Sequence, residues 1–312
     1  PRDRNPCGNS MRVVRNLITI ALILCAWTQV EAQEAANLYG YARPSLSWHT
    51  LKGEHFEVIY HLDQAGVGPD TTAAYVLEVA EAAWEPITAL YGFVPDTPVA
   101  IVITDYLDYA NGAAFFFDNY IEIWVPALSS SLRADHRWIE NVVTHEFTHI
   151  VQVQASMKRS RRWPATYIQY LDYDNARRPD VLYGYPNVIA TIPHLNLNNP
   201  AWLAEGTAQF QREQWGFDRW DDRRDMLLRR QMVAPDPFSI ADIGGFYSHT
   251  SMGRESVYNI GFALSRFIAA EFGEKGLSTL TEALSTRGTL NVERAWSDAF
   301  GEPAHQTFTR FR

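Results

Sequence analysis

The segment Asp135–Met157, DHRWIENVVTHEFTHIVQVQASM, decides what kind of fold this chain can adopt. It contains no Gly or Pro, and its apolar residues recur at helical spacing, which predicts a single amphipathic helix. His145 and His149 are one helical turn apart, so both imidazoles project from the same face. That spacing allows both rings to bind one Zn²⁺ ion, with Glu146 beside the ion but not bound to it. Glu146 is therefore placed to accept a proton from a water molecule.

A catalytic zinc site needs a third protein ligand, and the segment Asn199–Phe210, NPAWLAEGTAQF, contains a candidate. Glu205 is the only charged residue of this segment, in which Pro200 is predicted to open a helix. An acid in such surroundings is costly unless it is paired or bound to a metal, so Glu205 is the best candidate. The alternative is a surface glutamate whose charge suits a helix start. A third histidine is not favoured, because no His-x-x-Gly-x-x-His pattern follows His149. His194 is not needed as a ligand either, since two histidines and Glu205 already make three.

These two motifs resemble those of the gluzincin metallopeptidases, thermolysin and aminopeptidase N among them. The segment Pro200–Ala208 is most similar to the bacterial peptidase MA-like domains, and the resemblance covers roughly residues 50–310. It implies an α+β zincin fold with a mixed β-sheet, an active-site helix and a mainly helical C-terminal subdomain. It also implies a zinc-dependent peptidase with one Zn²⁺ per chain, held by His145, His149 and Glu205.

Gln209 departs from the thermolysin-like pattern, in which an Asp at this position orients a zinc-binding histidine. A glutamine can accept a hydrogen bond but brings no charge. The position therefore cannot supply the negative charge that usually supports a metal-bound imidazole.

The segment Ser256–Leu264, SVYNIGFAL, resembles the Tyr-x-x-Gly helix start of aminopeptidase-N-like enzymes. The resemblance implies that the Tyr258 hydroxyl donates a hydrogen bond to the oxyanion formed during hydrolysis. A phenol suits this role because it remains a neutral donor near neutral pH. Two alternatives stay open: Tyr258 can simply pack its ring in the core, and His249 is a competing donor.

The N-terminal segment predicts export. Met11 is followed by two arginines, an apolar run Leu17–Trp27, and the small residues Val30 and Ala32, which is the pattern of a secretory signal peptide. We therefore expect a secreted or periplasmic protein that is cut after Ala32, with residues 1–10 as translated upstream sequence. Membrane anchoring is not favoured, because the apolar run is too short to span a bilayer.

Cysteine usage and charge exclude several function classes. Both cysteines, Cys7 and Cys25, precede the expected cut, so the mature chain would have no thiol nucleophile. A lipid-modified Cys25 is not favoured, because the preceding Ile23 and Leu24 are not the small residues such a site prefers. The formal net charge of −9 disfavours nucleic acid as a partner and leaves a peptide or protein as the expected substrate.

The rest of the chain is predicted to follow the order of a zincin domain. A mixed-sheet subdomain (33–134) precedes the active-site helix (135–157), an irregular cleft-rim insertion (158–199) and a helical C-terminal subdomain (200–312). Within the last of these, helices are predicted over residues 208–232, 257–271 and 276–285. Tyr120–Pro126 is predicted to be an edge strand, because it alternates and stops at a proline. In the family such a strand borders the cleft and pairs with extended substrate.

We expect an endopeptidase rather than an aminopeptidase. Asn111–Asn119 does not contain the Gly-x-Met-Glu-Asn motif whose Glu binds a substrate α-ammonium in aminopeptidase N. An aminopeptidase remains one alternative. A second alternative is a catalytically weak zinc-bearing interaction or processing module. Domains of this type often precede a TolB-like β-propeller, which is the expected C-terminal partner domain if the chain is a fragment.

Overall fold

The computed structural model describes residues 46–62, 66, 68–105, 110–125, 137–162, 165–170, 188–193, 199–234, 238–246 and 251–312. The chain divides into two compact units. One unit comprises Pro1–Pro44 with Tyr167–Ile192, and the other comprises Ser45–Thr166 with Pro193–Arg312. The signal peptide, both cysteines, His194 and His249 all lie outside the described residues. The fold described below is that of the second unit, apart from a two-stranded sheet that belongs mostly to the first unit.

The N-terminal part is a five-stranded mixed sheet with two helices packed on it. The strands are β1 (Ser47–Lys52), β2 (Phe56–Leu62), β3 (Val99–Thr104), β4 (Asn111–Phe115) and β5 (Tyr120–Trp124). Their order in the sheet is β1-β2-β3-β5-β4. The β2–β3 and β3–β5 pairs are parallel, whereas the two outer pairs are antiparallel. The helices are α1 (Asp70–Tyr91) and α2 (Trp138–Ala155).

The edge strand next to α2 is β4, so the prediction that residues 120–126 form the edge strand was wrong. β5 lies between β3 and β4 and pairs with both. β5 ends at Trp124, and Pro126 lies outside the described residues. Ile121 and Ile123 are fully buried, as expected of an interior strand.

Phe147 packs α2 against the sheet and against α1. Its ring packs edge-on against Phe56 with centroids 4.9 Å apart and stacks on Trp84 of α1 at 5.5 Å. Aromatic pairs in these geometries stabilise a core beyond the apolar area they bury. Because Phe147 faces the core, the helical repeat directs His145 and His149 away from it.

The C-terminal part is mainly helical. Its helices are α3 (Ala201–Gln214), α4 (Asp222–Met232), α5 (Ser251–Phe272), α6 (Gly276–Ser285), α7 (Val292–Phe300) and α8 (Ala304–Phe311), with a 3₁₀ turn at Asp242–Gly244. Together with the mixed sheet these helices confirm the predicted α+β class. None of the helices within the described residues combines the length and the apolar character that a bilayer span requires.

Helices α3 and α5 cross in backbone contact at Gly206 and Gly261. A Cβ atom added at Gly206 would lie 2.2 Å from the carbonyl oxygen of Gly261. One added at Gly261 would lie 2.5 Å from the carbonyl oxygen of Trp202. Only glycine fits this crossing, which holds the segment with Glu205 next to the segment with Tyr258.

Two other predictions of secondary structure need correction. The helix expected over residues 208–232 is in fact the pair α3 and α4, with Gly216 between them at a φ of 72°, a left-handed conformation that interrupts a helix. The insertion expected to be irregular contains β6 (Ala165–Tyr170) and β7 (Val188–Pro193), which form a separate two-stranded sheet.

Candidate metal centre

The structure brings the three predicted metal-binding side chains together. The Nε2 atoms of His145 and His149 on α2 are 3.0 Å apart. Helix α3 places Glu205 Oε2 at 3.0 Å from the first of these nitrogens and 3.3 Å from the second. All three side chains are almost completely buried.

This triangle of donor atoms fits one metal ion. Ligand atoms at about 2.0–2.1 Å from a tetrahedral zinc lie roughly 3.3 Å from one another. The three observed separations of 3.0 to 3.3 Å are close to that value. Two imidazole nitrogens and one carboxylate oxygen are also a donor set that divalent transition metals prefer. Within the described part of the chain, no other group of three such side chains is close enough to share an ion.

The protonation states of His145 and Glu205 suit metal binding. Burial, together with the charge of His149, lowers the pKa of His145 to about 3. Burial opposes ionisation of Glu205 too, but the two imidazoles hold the pKa of its carboxyl well below the usual range. His145 is therefore neutral and Glu205 is a carboxylate at neutral pH, which are the forms that bind metals.

Glu146 lies in the same cleft and is held by the edge strand. The backbone N–H of Ala114 on β4 donates a hydrogen bond to its carboxylate. Gly112, also on β4, approaches so closely that an added Cβ would lie 2.6 Å from Glu146 Oε1. Burial raises the pKa of Glu146 to about 7, against the opposing charge of His149. A carboxylate with such a pKa is suited to both accept and return a proton near neutral pH.

The cleft around the triad has a volume of about 380 Å³ and differs between its two ends. The end nearest the N-terminus of α2 is lined by Asn111, Trp138, Asn141 and Arg212. The other end is apolar and is lined by Phe116, Val153 and Ala201.

Tyr258 lies in the wall of the same cleft, as its predicted role requires. It is half-buried, and its ring centroid is 5.7 Å from that of Phe246, another residue of the wall. Tyr258 thus combines ring packing with access to the cleft. The packing and oxyanion alternatives left open by the sequence are therefore compatible with each other.

Gln209 does not replace the missing aspartate. It is buried and lines the cleft, but no described group lies within hydrogen-bonding distance of His145 Nδ1. A metal-bound imidazole usually donates its second N–H to a carboxylate or a carbonyl oxygen. The structure therefore agrees with the sequence that this position supplies no charged partner for a zinc-binding histidine.

Arg212 is the site residue that the sequence analysis missed. Its side chain is 12% exposed and forms an ion pair of 2.8 Å with Asp218. It also donates a hydrogen bond to Asn141. One signal was available: Arg212 follows Glu205 by seven residues, and that spacing returns to the same face of a helix.

Neither a family model nor any curated protein matches this chain. The functional assignment therefore depends on the side chains of the cleft.

Proposed function

We propose that this protein is a zinc-dependent metallopeptidase of the gluzincin type that hydrolyses internal peptide bonds. The observation that carries the proposal is the buried triangle of His145, His149 and Glu205 with the Glu146 carboxylate beside it. Zinc bound there would polarise the scissile carbonyl and acidify the attacking water. The export signal supports a secreted or periplasmic location.

The chain's own groups then account for the remaining chemistry. Glu146 accepts the proton of the attacking water and returns it to the leaving amine. The Ala114 N–H holds that carboxylate by a hydrogen bond, and the absence of a side chain at Gly112 leaves room for it. Tyr258 donates a hydrogen bond to the oxyanion from the opposite wall. The β4 edge pairs with the backbone of an extended peptide, as open strand edges do in peptide recognition.

The second candidate function is a catalytically weak zinc-bearing interaction or processing module, attached to a β-propeller domain in a longer chain. Such a module needs the metal ligands but not a general base. The close support of Glu146 by two residues of β4 favours a working catalyst.

The decisive experiment uses the chain from Gln33 onward. Metal content is measured by mass spectrometry after zinc loading and dialysis, and hydrolysis is followed with a library of N-acetylated, internally quenched peptides. We expect one zinc per chain, cleavage that a chelator abolishes, and recovery when zinc is restored. A zinc-loaded protein that cuts no peptide would instead support the interaction module.

A further inference from the structure

We propose that Arg212 makes one end of the cleft a binding site for a substrate carboxylate, so that peptides with a carboxylate near the scissile bond are preferred. This inference rests on the proposed peptidase function and names the substrate class of the same site. The carboxylate can be the C-terminus of the peptide or an Asp or Glu side chain.

The packing of α3 against α2 fixes the position of the Arg212 guanidinium. Glu205 contacts the two histidines, whereas Arg212, two turns further along α3, contacts Asn141, one turn before His145. Two helical turns correspond to about 10 Å along the axis. The Arg212 guanidinium therefore lines the polar end of the cleft, about two helical turns along α3 from Glu205.

Two neighbours hold the guanidinium in place. Asp218 accepts a bond of 2.8 Å from Arg212 Nη2, and Asn141 Oδ1 accepts a bond from Nη1. The Asn141 amide in turn donates to the carbonyl oxygen of Phe217 at 3.1 Å, which fixes its orientation. A cation held this way loses little side-chain freedom when it binds a ligand, which favours binding.

Arg212 belongs to a cluster of three charged side chains that includes two arginines and one aspartate. Asp218 is buried and pairs with both Arg212 and Arg224, each at 2.8 Å. Despite the burial, these two guanidinium groups hold the pKa of Asp218 below its usual range. Two arginines thus share one carboxylate, and the cluster Arg212–Asp218–Arg224 has a net positive charge.

Arg212 is the group of the cleft wall that is available to bind a substrate carboxylate, because the other charged groups there have other roles. The acidic residues of the wall, Glu146 and Glu205, belong to the catalytic machinery, and the far end is apolar. The β4 side presents Gly112, Ala113 and Ala114, which have no ionisable side chains. A carboxylate is the common anion of peptides, and Arg binds it with two parallel hydrogen bonds when the geometry allows.

The first test needs only the zinc-loaded protein as it exists. N-acetylated, internally quenched peptides are compared in pairs that differ by Glu against Gln at each of three positions on either side of the cut. A further pair differs by a free C-terminal carboxylate against a carboxamide. We expect about a tenfold higher kcat/KM, mostly through KM, for the carboxylate at one position, since bonds to charged groups are the stronger ones. The position identifies the source, an acidic side chain or the peptide terminus.

The second test uses a matched pair of variants. Arg212→Gln should abolish the preference for the carboxylate peptide, and Asp218 keeps Arg224 as its partner in that variant. Arg224→Gln removes the other guanidinium from Asp218, but Arg224 does not line the cleft, so the preference should remain. Isothermal titration of the best peptide pair into a zinc-loaded Glu146→Gln protein provides a readout independent of turnover.

The outcomes separate this inference from the proposed function. If neutral peptides are cut and no carboxylate changes kcat/KM by more than about twofold, the carboxylate site is wrong and the peptidase stands. A preference that survives in Arg212→Gln would likewise overturn it. If the zinc-loaded protein cuts neither member of any pair, the peptidase function itself has failed. The wild-type comparison decides the matter even if Arg212→Gln does not fold.

Discussion

At the scale of single residues, Glu146 is the side chain on which the proposed mechanism depends most directly. Glu146→Gln keeps the shape and a hydrogen-bond acceptor but cannot take a proton near neutral pH. We expect turnover to fall by roughly 10²–10⁴-fold, the usual contribution of general base catalysis, while bound zinc stays at the wild-type amount. The measurement is metal content together with hydrolysis of a quenched peptide. A variant that keeps most of its turnover would exclude Glu146 as the base.

Glu205 should control metal affinity as well as activity. Glu205→Ala leaves two imidazoles, which undercoordinate a zinc ion, so both the zinc content and the hydrolysis rate should drop together. His194→Ala is the control and should leave the zinc content unchanged, because two histidines and Glu205 already supply the three protein ligands. If zinc is retained in Glu205→Ala and lost in His194→Ala, Glu205 is not the third ligand and His194 takes that place.

The sequence could point to the three side chains of the candidate metal site for different reasons, and the same reasons explain why it missed Arg212. The spacing of His145 and His149 is local, and Glu205 is an acid in an apolar segment, so each is visible in a short stretch of sequence. The role of Arg212 depends on the packing of α3 against α2, which brings it to Asn141. No local pattern shows which neighbour a surface-type residue will have after folding.

At the scale of secondary-structure elements, the crossing of α3 and α5 offers a sharp test of how the cleft is built. Gly206→Ala would place a Cβ 2.2 Å from the Gly261 carbonyl oxygen, so the helices must separate. Overpacking of this kind costs about 1–3 kcal/mol, which should appear in the free energy of unfolding by urea. Zinc affinity should also fall, because Glu205 is the neighbouring residue.

Gly244→Ala is the matched control for that change. An added Cβ at Gly244 meets nothing within 4 Å, so its free energy of unfolding should stay close to the wild-type value. Equal stability of the two variants would mean that the helices tolerate separation, and that the glycine crossing does not hold Glu205 beside Tyr258.

The elements that were predicted well are those with a strong local period. The α2 helix was expected over residues 135–157 and spans Trp138–Ala155, and α6 was expected with the bounds that it has. The edge strand was misassigned because β4 is short and consists mostly of small residues, which gives no alternation to detect. Strand order depends on contacts between distant segments of the chain. A proline after an alternating segment indicates where a strand ends, but not which strands it pairs with.

At the scale of the whole molecule, the sequence of the N-terminal segment predicts where in the cell the protein is located. Expressed from Met11 in a secreting host, the mature protein should begin at Gln33, because Val30 and Ala32 are the small residues that signal peptidase requires. The measurement is N-terminal sequencing of the exported protein, with an Ala32→Arg variant as the control that should block the cut. Met11 retained in a cytosolic fraction would contradict the prediction.

The charge distribution of the cleft also bears on whether the proposed peptidase could bind the free N-terminus of a substrate. An aminopeptidase needs an acid that pairs with the substrate α-ammonium after it loses its water. Among the described residues of the cleft wall, the acids are Glu146 and Glu205, and both have other roles in the proposed mechanism. Asp118 is exposed in the turn after β4, and Glu122 accepts a hydrogen bond from Thr104 within the sheet.

We therefore expect the proposed peptidase to cut internal peptide bonds. Arg212 would repel an α-ammonium at the polar end, and the β4 residues that line the cleft there, Asn111, Gly112, Ala113 and Ala114, include no acid. An N-acetylated, internally quenched peptide should be cut as fast as its free-amine counterpart, and amino-acid p-nitroanilides should be poor substrates. The measurement is kcat/KM for each matched pair, with Asp118→Asn and Glu122→Gln as control variants. Rapid release of single N-terminal residues that acetylation blocks would show that an acid does reach the α-ammonium, and loss of that release in one variant would identify which acid it is.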